Sequence, residues 1–303
     1  MTTILQVVIS IFFVLLLLSL FATTIMELLA GALGLRGQNL KKALKNMLAT
    51  TDIDEKILTA FHNNSLFKQL SYQFGKKHYP PSYLSSSSFQ SILFDVILNG
   101  KDLNLDNLKA QIDELPDDDL KNVLNQFLQE ADMNLDTFRS KVQKWYNDIM
   151  DRASGWYKRY TQRILVVVGF FIAITFNADT LAIYERLEND PVALQQVVTM
   201  AEAYVGRQDS VASIKQAVEN DPDFERALTN AQSLLKDELA SVKSPLGLGW
   251  SSTDFATMSF TDWLLKLLGW TVTALAISLG APFWFDLLKK IVNLRGAGNK
   301  PQD

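Results

Sequence analysis

Few side chains in this sequence are of the types that perform catalysis or bind metals. The 303 residues include no cysteine, which excludes disulfides, thiolate nucleophiles and thiolate metal ligands. The two histidines, His62 and His78, are separated by 16 positions, a spacing that matches no usual pair of zinc ligands. We interpret both as packed or solvent-exposed imidazoles, and we predict neither a metal nor a cofactor.

Three polar features have simpler structural explanations than chemistry. The run Asp117–Asp119 could bind a divalent cation, but it follows Pro116 at a predicted helix start, where carboxylates interact favourably with the helix dipole. Ser85–Ser88 is interpreted as a connector, with a modifiable loop as the alternative. Ser154 has no identifiable base beside it in sequence, so a nucleophile is not predicted there. The sequence therefore predicts a protein that is not an enzyme.

Three long apolar segments, Ile4–Leu35, Ile164–Tyr184 and Trp263–Phe285, indicate an integral membrane protein. The first exceeds the length needed to cross a hydrocarbon core of about 30 Å as a helix. A cleaved signal peptide is the alternative for it, although its apolar stretch is longer than the usual h-region of about 7–15 residues. The second is marginal, because its unbroken apolar run, Ile164–Phe176, would span only about 20 Å and by itself indicates a re-entrant or buried helix.

The charges beside these segments predict an orientation. Basic residues follow the first segment, precede the second and follow the third: Arg36, Lys41, Lys42 and Lys45; Arg152, Lys158, Arg159 and Arg163; Lys289, Lys290 and Arg295. By the positive-inside rule these flanks are cytoplasmic, which predicts three crossings with the N-terminus outside and the C-terminus in the cytoplasm. Residues 179–262 contain 14 acidic and 6 basic side chains, in agreement with an outside location.

The predicted fold class is all-α: a three-pass helical membrane protein with a cytoplasmic helical domain and a small extracytoplasmic helical cap. Helical periodicity is clearest around Leu40–Leu48, Ile57–Leu70, Phe89–Ile97, after Pro116 and from Leu135. The predicted boundaries are a first transmembrane helix at 1–35, the cytoplasmic domain at 36–162, a second transmembrane helix at 163–184, an acidic cap at 185–261, a third transmembrane helix at 262–285 and an amphipathic cytoplasmic tail at 286–303.

Ionisable groups at membrane depth are costly unless they are paired or near an interface. We therefore predict a structural ion pair between Asp179 and Lys266, which join the second and third segments, and an inner-leaflet position for Glu27. We also predict that the first helix is more independent than the other two. The predicted interfacial anchors combine aromatic and basic side chains: Trp156, Tyr157, Lys158, Arg159, Phe283, Trp284 and Phe285.

Several phrases occur together in a characteristic order. They include Met150–Arg159 with its Ser-Gly-Trp-Tyr-Lys-Arg run, Asn177–Thr180, and Ser278–Leu288 with its Gly-Ala-Pro-Phe-Trp-Phe-Asp run. With these phrases the chain resembles a family of uncharacterised bacterial integral membrane proteins. The resemblance extends from the first apolar segment to the C-terminus, and it implies a bacterial inner membrane but no activity.

The predicted function is that of a non-enzymatic anchor or assembly scaffold at the bacterial inner membrane. The predicted partners are the lipid bilayer and either further copies of the chain or other membrane or cytoplasmic proteins. The alternative is an oligomeric membrane-perturbing effector or channel component. A nucleic-acid partner is not predicted, because no segment is strongly basic throughout.

Overall fold

The computed structural model describes residues 3–49, 55–74, 77–116, 118–132, 134–206, 229–230, 232–250 and 258–297, without the side chains of 72–78 and 295–297. It divides into two units. We call Ala30–Arg159 the helical domain, and its limits are close to the predicted 36–162. We call Met1–Leu29 together with Tyr160–Asp303 the apolar unit. Within the predicted acidic cap, residues 207–228, 231 and 251–257 lie outside the described residues.

The helical domain is built from short helices and one small hairpin. Its helices are α2 (Leu35–Leu48), α3 (Lys56–Asn63), α4 (Ser65–Leu70), α5 (Ser86–Leu98), α6 (Leu105–Asp113), α7 (Asp118–Glu130) and the first part of α8 (Leu135–Thr175). Between α4 and α5, β1 (Tyr72–Phe74) pairs antiparallel with β2 (Lys77–Tyr79). The periodicity around Ile57–Leu70 corresponds to two helices, because Asn64 interrupts it and caps α4 by accepting from the Leu66 N–H.

The core of the helical domain is centred on α5. Ser85 is the N-cap of α5, since its hydroxyl accepts from the Ser88 N–H, so the serine run begins a helix and is only partly a connector. Phe89 stacks on Tyr146 with centroids 4.5 Å apart, and Phe94 stacks on Phe138 at 5.4 Å. These ring pairs hold α8 against α5.

The apolar unit contains the remaining helices. They are α1 (Thr3–Leu33), the last part of α8, α9 (Thr180–Asn189), α10 (Pro191–Gly206), a π-helix (Leu234–Leu239) continuing into α11 (Ala240–Leu246), α12 (Phe260–Ser278) and α13 (Ala281–Ala297). By length and composition, α1 and α12 could each cross a bilayer. A third candidate is the pair α8 and α9, which bends by 46° at its break.

Helix α1 is the most enclosed element of the apolar unit. In its most apolar 18-residue stretch 61% of the residues are buried, against 28% for α12. Ile9, Leu16, Leu17 and Leu18 are fully buried. The prediction of a more independent first helix is therefore wrong, because uniformly apolar residues around α1 let neighbours pack on several of its sides.

The second and third apolar segments pack side by side and run in opposite directions, as their predicted roles require. Gln162 donates to the Ser278 carbonyl at 2.7 Å near one end of the contact, and Thr180 meets Thr273 near the other. Between them the backbone of α8 comes close to α12 at Gly169, where an added Cβ would lie 3.2 Å from the Ala274 carbonyl oxygen. The predicted packing of these two segments is confirmed.

The predicted cap is in contact with α13, which begins within the third apolar segment. Helix α10 belongs to the predicted outer cap and α13 extends into the predicted inner tail, yet the two are in contact. Both also contact α1, through the ring pairs Phe13–Tyr204 and Phe12–Trp284. The reason is burial: the inner face of α10 is as apolar as a core helix and is covered on packing against α1 and α13.

Candidate functional site

The most elaborate polar structure of the apolar unit lies at the break between α8 and α9. Asn177 adopts the left-handed conformation, with φ of 48°. The Asn177 and Ala178 N–H groups donate back to the Ile174 and Ala173 carbonyls, at 3.0 and 2.8 Å. This pairing is a Schellman motif, which ends a helix while satisfying its last carbonyls.

Asp179 restarts the helix on the other side of the break. Its carboxylate accepts from the Leu181 and Ala182 N–H groups, at 2.9 and 3.3 Å, so it is the N-cap of α9. The side chain is buried and lies against Gly269 of α12, where a Cβ would overlap the carboxylate. Glycine is thus required at position 269 to let α12 approach the cap.

A threonine pair joins the start of α9 to α12. Thr273 Oγ1 donates to the Gly269 carbonyl at 2.9 Å. Because a hydroxyl has one proton, Thr273 must then accept both from Thr180 Oγ1, at 2.7 Å, and from the Thr180 N–H, at 3.1 Å. A single buried hydroxyl therefore satisfies three groups at the contact between the segments.

The segment after α11 closes the other side of the break. The Gly249 N–H donates to the Phe176 carbonyl at 2.7 Å, and Trp250 Nε1 donates to the Ile174 carbonyl at 2.8 Å. In return Asn177 Nδ2 donates to the Gly249 carbonyl at 3.0 Å. Gly249 has φ of 112°, a conformation that other residues rarely adopt.

The predicted ion pair between Asp179 and Lys266 is absent. Asp179 is satisfied by backbone N–H groups, while Lys266 Nζ lies 5.6 Å from the centroid of the Trp250 ring, within the range of a cation–π contact. Trp250 also packs against Trp263 and Trp270, with centroids 6.3 and 5.6 Å away. The two apolar segments do meet at this point, through Gly269 and Thr273.

Two buried polar atoms in this region have no hydrogen-bond partner among the described residues. They are Asn177 Oδ1, an acceptor, and Trp270 Nε1, a donor. Both belong to residues that pack around Gly249 and Trp250. The remaining polar groups at the break are paired. Their main role is to form hydrogen bonds with the backbone groups that the interruption of the helix leaves free.

The other predicted site residues have mixed outcomes. Trp284 and Phe285 are buried in the core of the apolar unit, so their predicted position as interfacial anchors is wrong; Trp284 Nε1 donates inward to the Ala276 carbonyl at 2.7 Å. Phe283 is exposed, as are Trp156, Lys158 and Arg159, whereas Tyr157 is half-buried. Glu27 is half-buried on α1. The anchoring roles of these exposed residues and the inner-leaflet position of Glu27 stay predictions.

The helical domain holds a second group of polar residues, but no metal site is evident in its described part. Tyr146 Oη donates to the Leu84 carbonyl at 2.6 Å, and burial raises the pKa of this phenol. His62 packs on Phe67, and its Nε2 is buried without a partner in the described chain. Burial, followed by the positive charge of Lys41, lowers the pKa of His62.

Several residues of the break had no signal in the sequence that would single them out. Thr273 and Gly269 lie inside an apolar segment and look like ordinary small residues of a spanning helix. Trp250 follows a glycine-rich stretch between two apolar segments, and its sequence does not indicate a contact with the break. In the Asn177–Thr180 phrase the sequence singled out Asp179, as half of an ion pair, and gave no sign that Asn177 ends one helix or that Thr180 contacts Thr273.

Comparisons of the chain with protein-family models, with curated proteins and with solved structures found no match.

Proposed function

We propose that this protein is a non-enzymatic, multi-pass membrane anchor and assembly scaffold, in which the apolar unit is embedded in the bilayer and holds the helical domain at its surface. The supporting observation is an apolar stripe on α12. Leu264, Leu268, Val272, Leu275 and Leu279 recur every three or four residues, and each is between 40% and 54% exposed. This spacing places them on one face of the helix.

The stripe continues on α8, where Val167 and Phe171 are 53% and 64% exposed. A contiguous exposed apolar surface of this kind is unusual on a soluble monomer and marks contact with a membrane or another protein. Lipid is the environment that fits two adjacent helices with apolar outer faces and small or polar inner faces. The inner face of α12 includes Gly269, Thr273 and Ser278.

The polar break favours a structural role over translocation. Asp179 is a helix cap, and Thr273 completes the hydrogen bonds of the neighbouring backbone. An ion or proton path would instead use ionisable groups in line at membrane depth. An interrupted helix is tolerated in a membrane when protein satisfies its free backbone groups, and Gly249 and Trp250 provide that satisfaction here.

We further propose that the helical domain is cytoplasmic and that the N-terminal end of α1 is outside. The support is charge: both connections of this domain to the apolar unit carry basic clusters, at Arg36–Lys45 and Arg152–Arg163. The antiparallel contact of α8 and α12 supports opposite crossings that end with the C-terminal side in the cytoplasm. A bacterial inner membrane, and membership of the family that the sequence resembles, stay predictions.

Cysteine labelling tests lipid contact directly, because the chain has no cysteine of its own. Leu268 on α12 and Leu103 in the helical domain are similarly exposed, at 54% and 44%. In permeabilised membranes we expect a membrane-impermeant maleimide to label Leu103→Cys but not Leu268→Cys, since the thiol reacts as a thiolate and needs water. Equal labelling of both variants would show that α12 faces water and would remove the membrane proposal.

Conductance distinguishes the anchor from a channel component. Purified protein inserted into liposomes is expected to carry no current, with insertion checked by the protection of Leu268→Cys. A reproducible current from inserted protein would favour a channel component over an anchor.

A further inference from the structure

An open cleft lies beside the break, between α11 and the segment that follows it. Its volume is about 430 Å³, and its lining includes Lys243, Ser244, Leu248, Gly249 and Trp250. This size falls within the range of about 300–1,000 Å³ that is usual for small-molecule sites. Polar and apolar groups both line it, so it suits a ligand with a polar head and an apolar body.

Three cationic side chains converge on this short segment. Lys243 lies over Gly249, where an added Cβ would be 3.2 Å from Lys243 Cε, and Arg186 lies against Gly247 while donating to the Pro245 carbonyl at 2.7 Å. Lys266 lies over the Trp250 ring. None of the three forms an ion pair with a carboxylate among the described residues, although residues 179–262 are strongly acidic overall.

The backbone of the segment does not offer free donors to a ligand. The N–H groups of Gly247, Leu248 and Gly249 donate to the carbonyls of Ser244, Lys243 and Phe176. Recognition of an anion would therefore depend on the cationic side chains. The two glycines contribute by leaving room for Arg186 and Lys243 to lie close to the chain.

The surroundings of the cleft are those of a membrane interface. Trp250 packs with Trp263 and Trp270, and tryptophans combined with lysines are typical of the headgroup level. The apolar stripe of α12 begins at Leu264, within one helical turn of both Trp263 and Lys266. An acyl chain lying on the stripe would thus place its headgroup near these cations.

We propose that this cleft binds the phosphate of an anionic phospholipid, with Lys243 of its lining as the nearest charged contact, Lys266 and Arg186 as cations against the residues that border it, and Trp250 beneath the headgroup. The proposal rests on the proposed function, since it requires α12 to be in lipid. Cations that form no ion pair among the described residues, beside a lipid-facing helix, favour a lipid phosphate over free phosphate, because the acyl chains add apolar contact that a free anion lacks.

Native mass spectrometry of the full chain, purified from vesicles of phosphatidylcholine and phosphatidylglycerol, tests the site. We expect the wild type to retain phosphatidylglycerol in preference to phosphatidylcholine. Each lysine near a lipid surface contributes about fivefold in affinity, so Lys243→Ala/Lys266→Ala should lower the preference by about 25-fold. The control Lys109→Ala/Lys236→Ala removes the same charge from two exposed positions. It should keep the preference for phosphatidylglycerol.

Three results would overturn the site. They are an unchanged preference in the Lys243→Ala/Lys266→Ala variant, an equal loss in the control, and displacement of the lipid by millimolar inorganic phosphate, which would assign the cleft to the free anion. Failure of the membrane proposal is recognised separately, because Leu268→Cys would then be labelled. Protection of that cysteine without any lipid preference would remove only the lipid site.

Discussion

At the scale of single residues, buried polar groups in this protein are satisfied mostly by nearby backbone. Asp179 was expected to need Lys266, but two N–H groups at the start of α9 neutralise much of the need for a counter-ion. Lys266 is then available to lie over Trp250. From its residue type alone, the Asp179 carboxylate was predicted to have a polar partner. Which group is that partner depends on the local geometry of the chain.

His62 should make the stability of the protein depend on pH. Its pKa in the folded state lies below the ordinary value of about 6.5, because burial disfavours the charged ring. The unfolded chain therefore binds more protons as the pH falls through the window below that value, and folding stability is lost there. We expect thermal unfolding of the full chain in detergent to occur at a lower temperature at about pH 5.5 than at about pH 7.5.

The matched variant for this prediction is His62→Gln, which removes the titrating group. The drop in unfolding temperature between the two pH values should be smaller in the variant, which keeps one histidine of the two in the sequence. An identical drop in both proteins would assign the effect to carboxylates and contradict the role of His62.

At the scale of elements, periodicity and capping predicted most of the helical domain. The helices at Leu40–Leu48, Phe89–Ile97 and after Pro116 are present as α2, α5 and α7. Asn99, which precedes Gly100, ends α5 in the left-handed conformation, a usual way for a helix to end. Helix α6 and the β-hairpin were missed, because each is too short to show a periodic pattern.

The apolar unit was harder to predict, for a physical reason. A helix that is apolar on all sides gives no information about which side meets which neighbour. The enclosure of α1 and the packing of α10 on α13 therefore had no signal in the sequence. The sites of contact depend on small residues such as Gly169 and Gly269, which resemble many other positions in apolar segments.

Thr273 tests the joint between α9 and α12. Thr273→Val preserves the shape of the side chain but leaves the Thr180 N–H and Thr180 Oγ1 without their acceptor, which should cost about 1–3 kcal/mol. We expect a lower thermal unfolding temperature in detergent.

The control is Thr271→Val on the same helix, where the exposed hydroxyl donates only to the Leu267 carbonyl one turn earlier. That change should have little effect. If the two variants were equally stable, the threonine pair would not be holding the segments together.

At the scale of the whole molecule, charge and packing give different constraints on α1. The flanking charges predict that its N-terminal end is outside, while the contact of Phe12 with Trp284 brings α1 near a residue expected at the inner end of the third segment. The two constraints disagree for a helix that starts at the outer surface, because Phe12 lies only about 14 Å along the axis from Thr3 and a tilt would reduce its depth further.

Orientation can be measured with single cysteines at exposed positions. In intact cells we expect an impermeant maleimide to label Glu188→Cys and Thr3→Cys and not Lys109→Cys, which should react only after permeabilisation. Labelling of Lys109→Cys in intact cells would reverse the orientation. Protection of Thr3→Cys alone would place the N-terminal end of α1 in the cytoplasm and contradict the outside position that the flanking charges predict.

The burial of α1 also has a consequence for biosynthesis. Ser19 donates to the carbonyl of Ile277, 258 residues later, so α1 waits for a partner that is made much later. The whole helical domain is translated in between, and contacts so distant in sequence form slowly. During that interval α1 must be kept in the lipid or in the insertion machinery, and its final assembly belongs to a second stage, after the helices are already in the membrane.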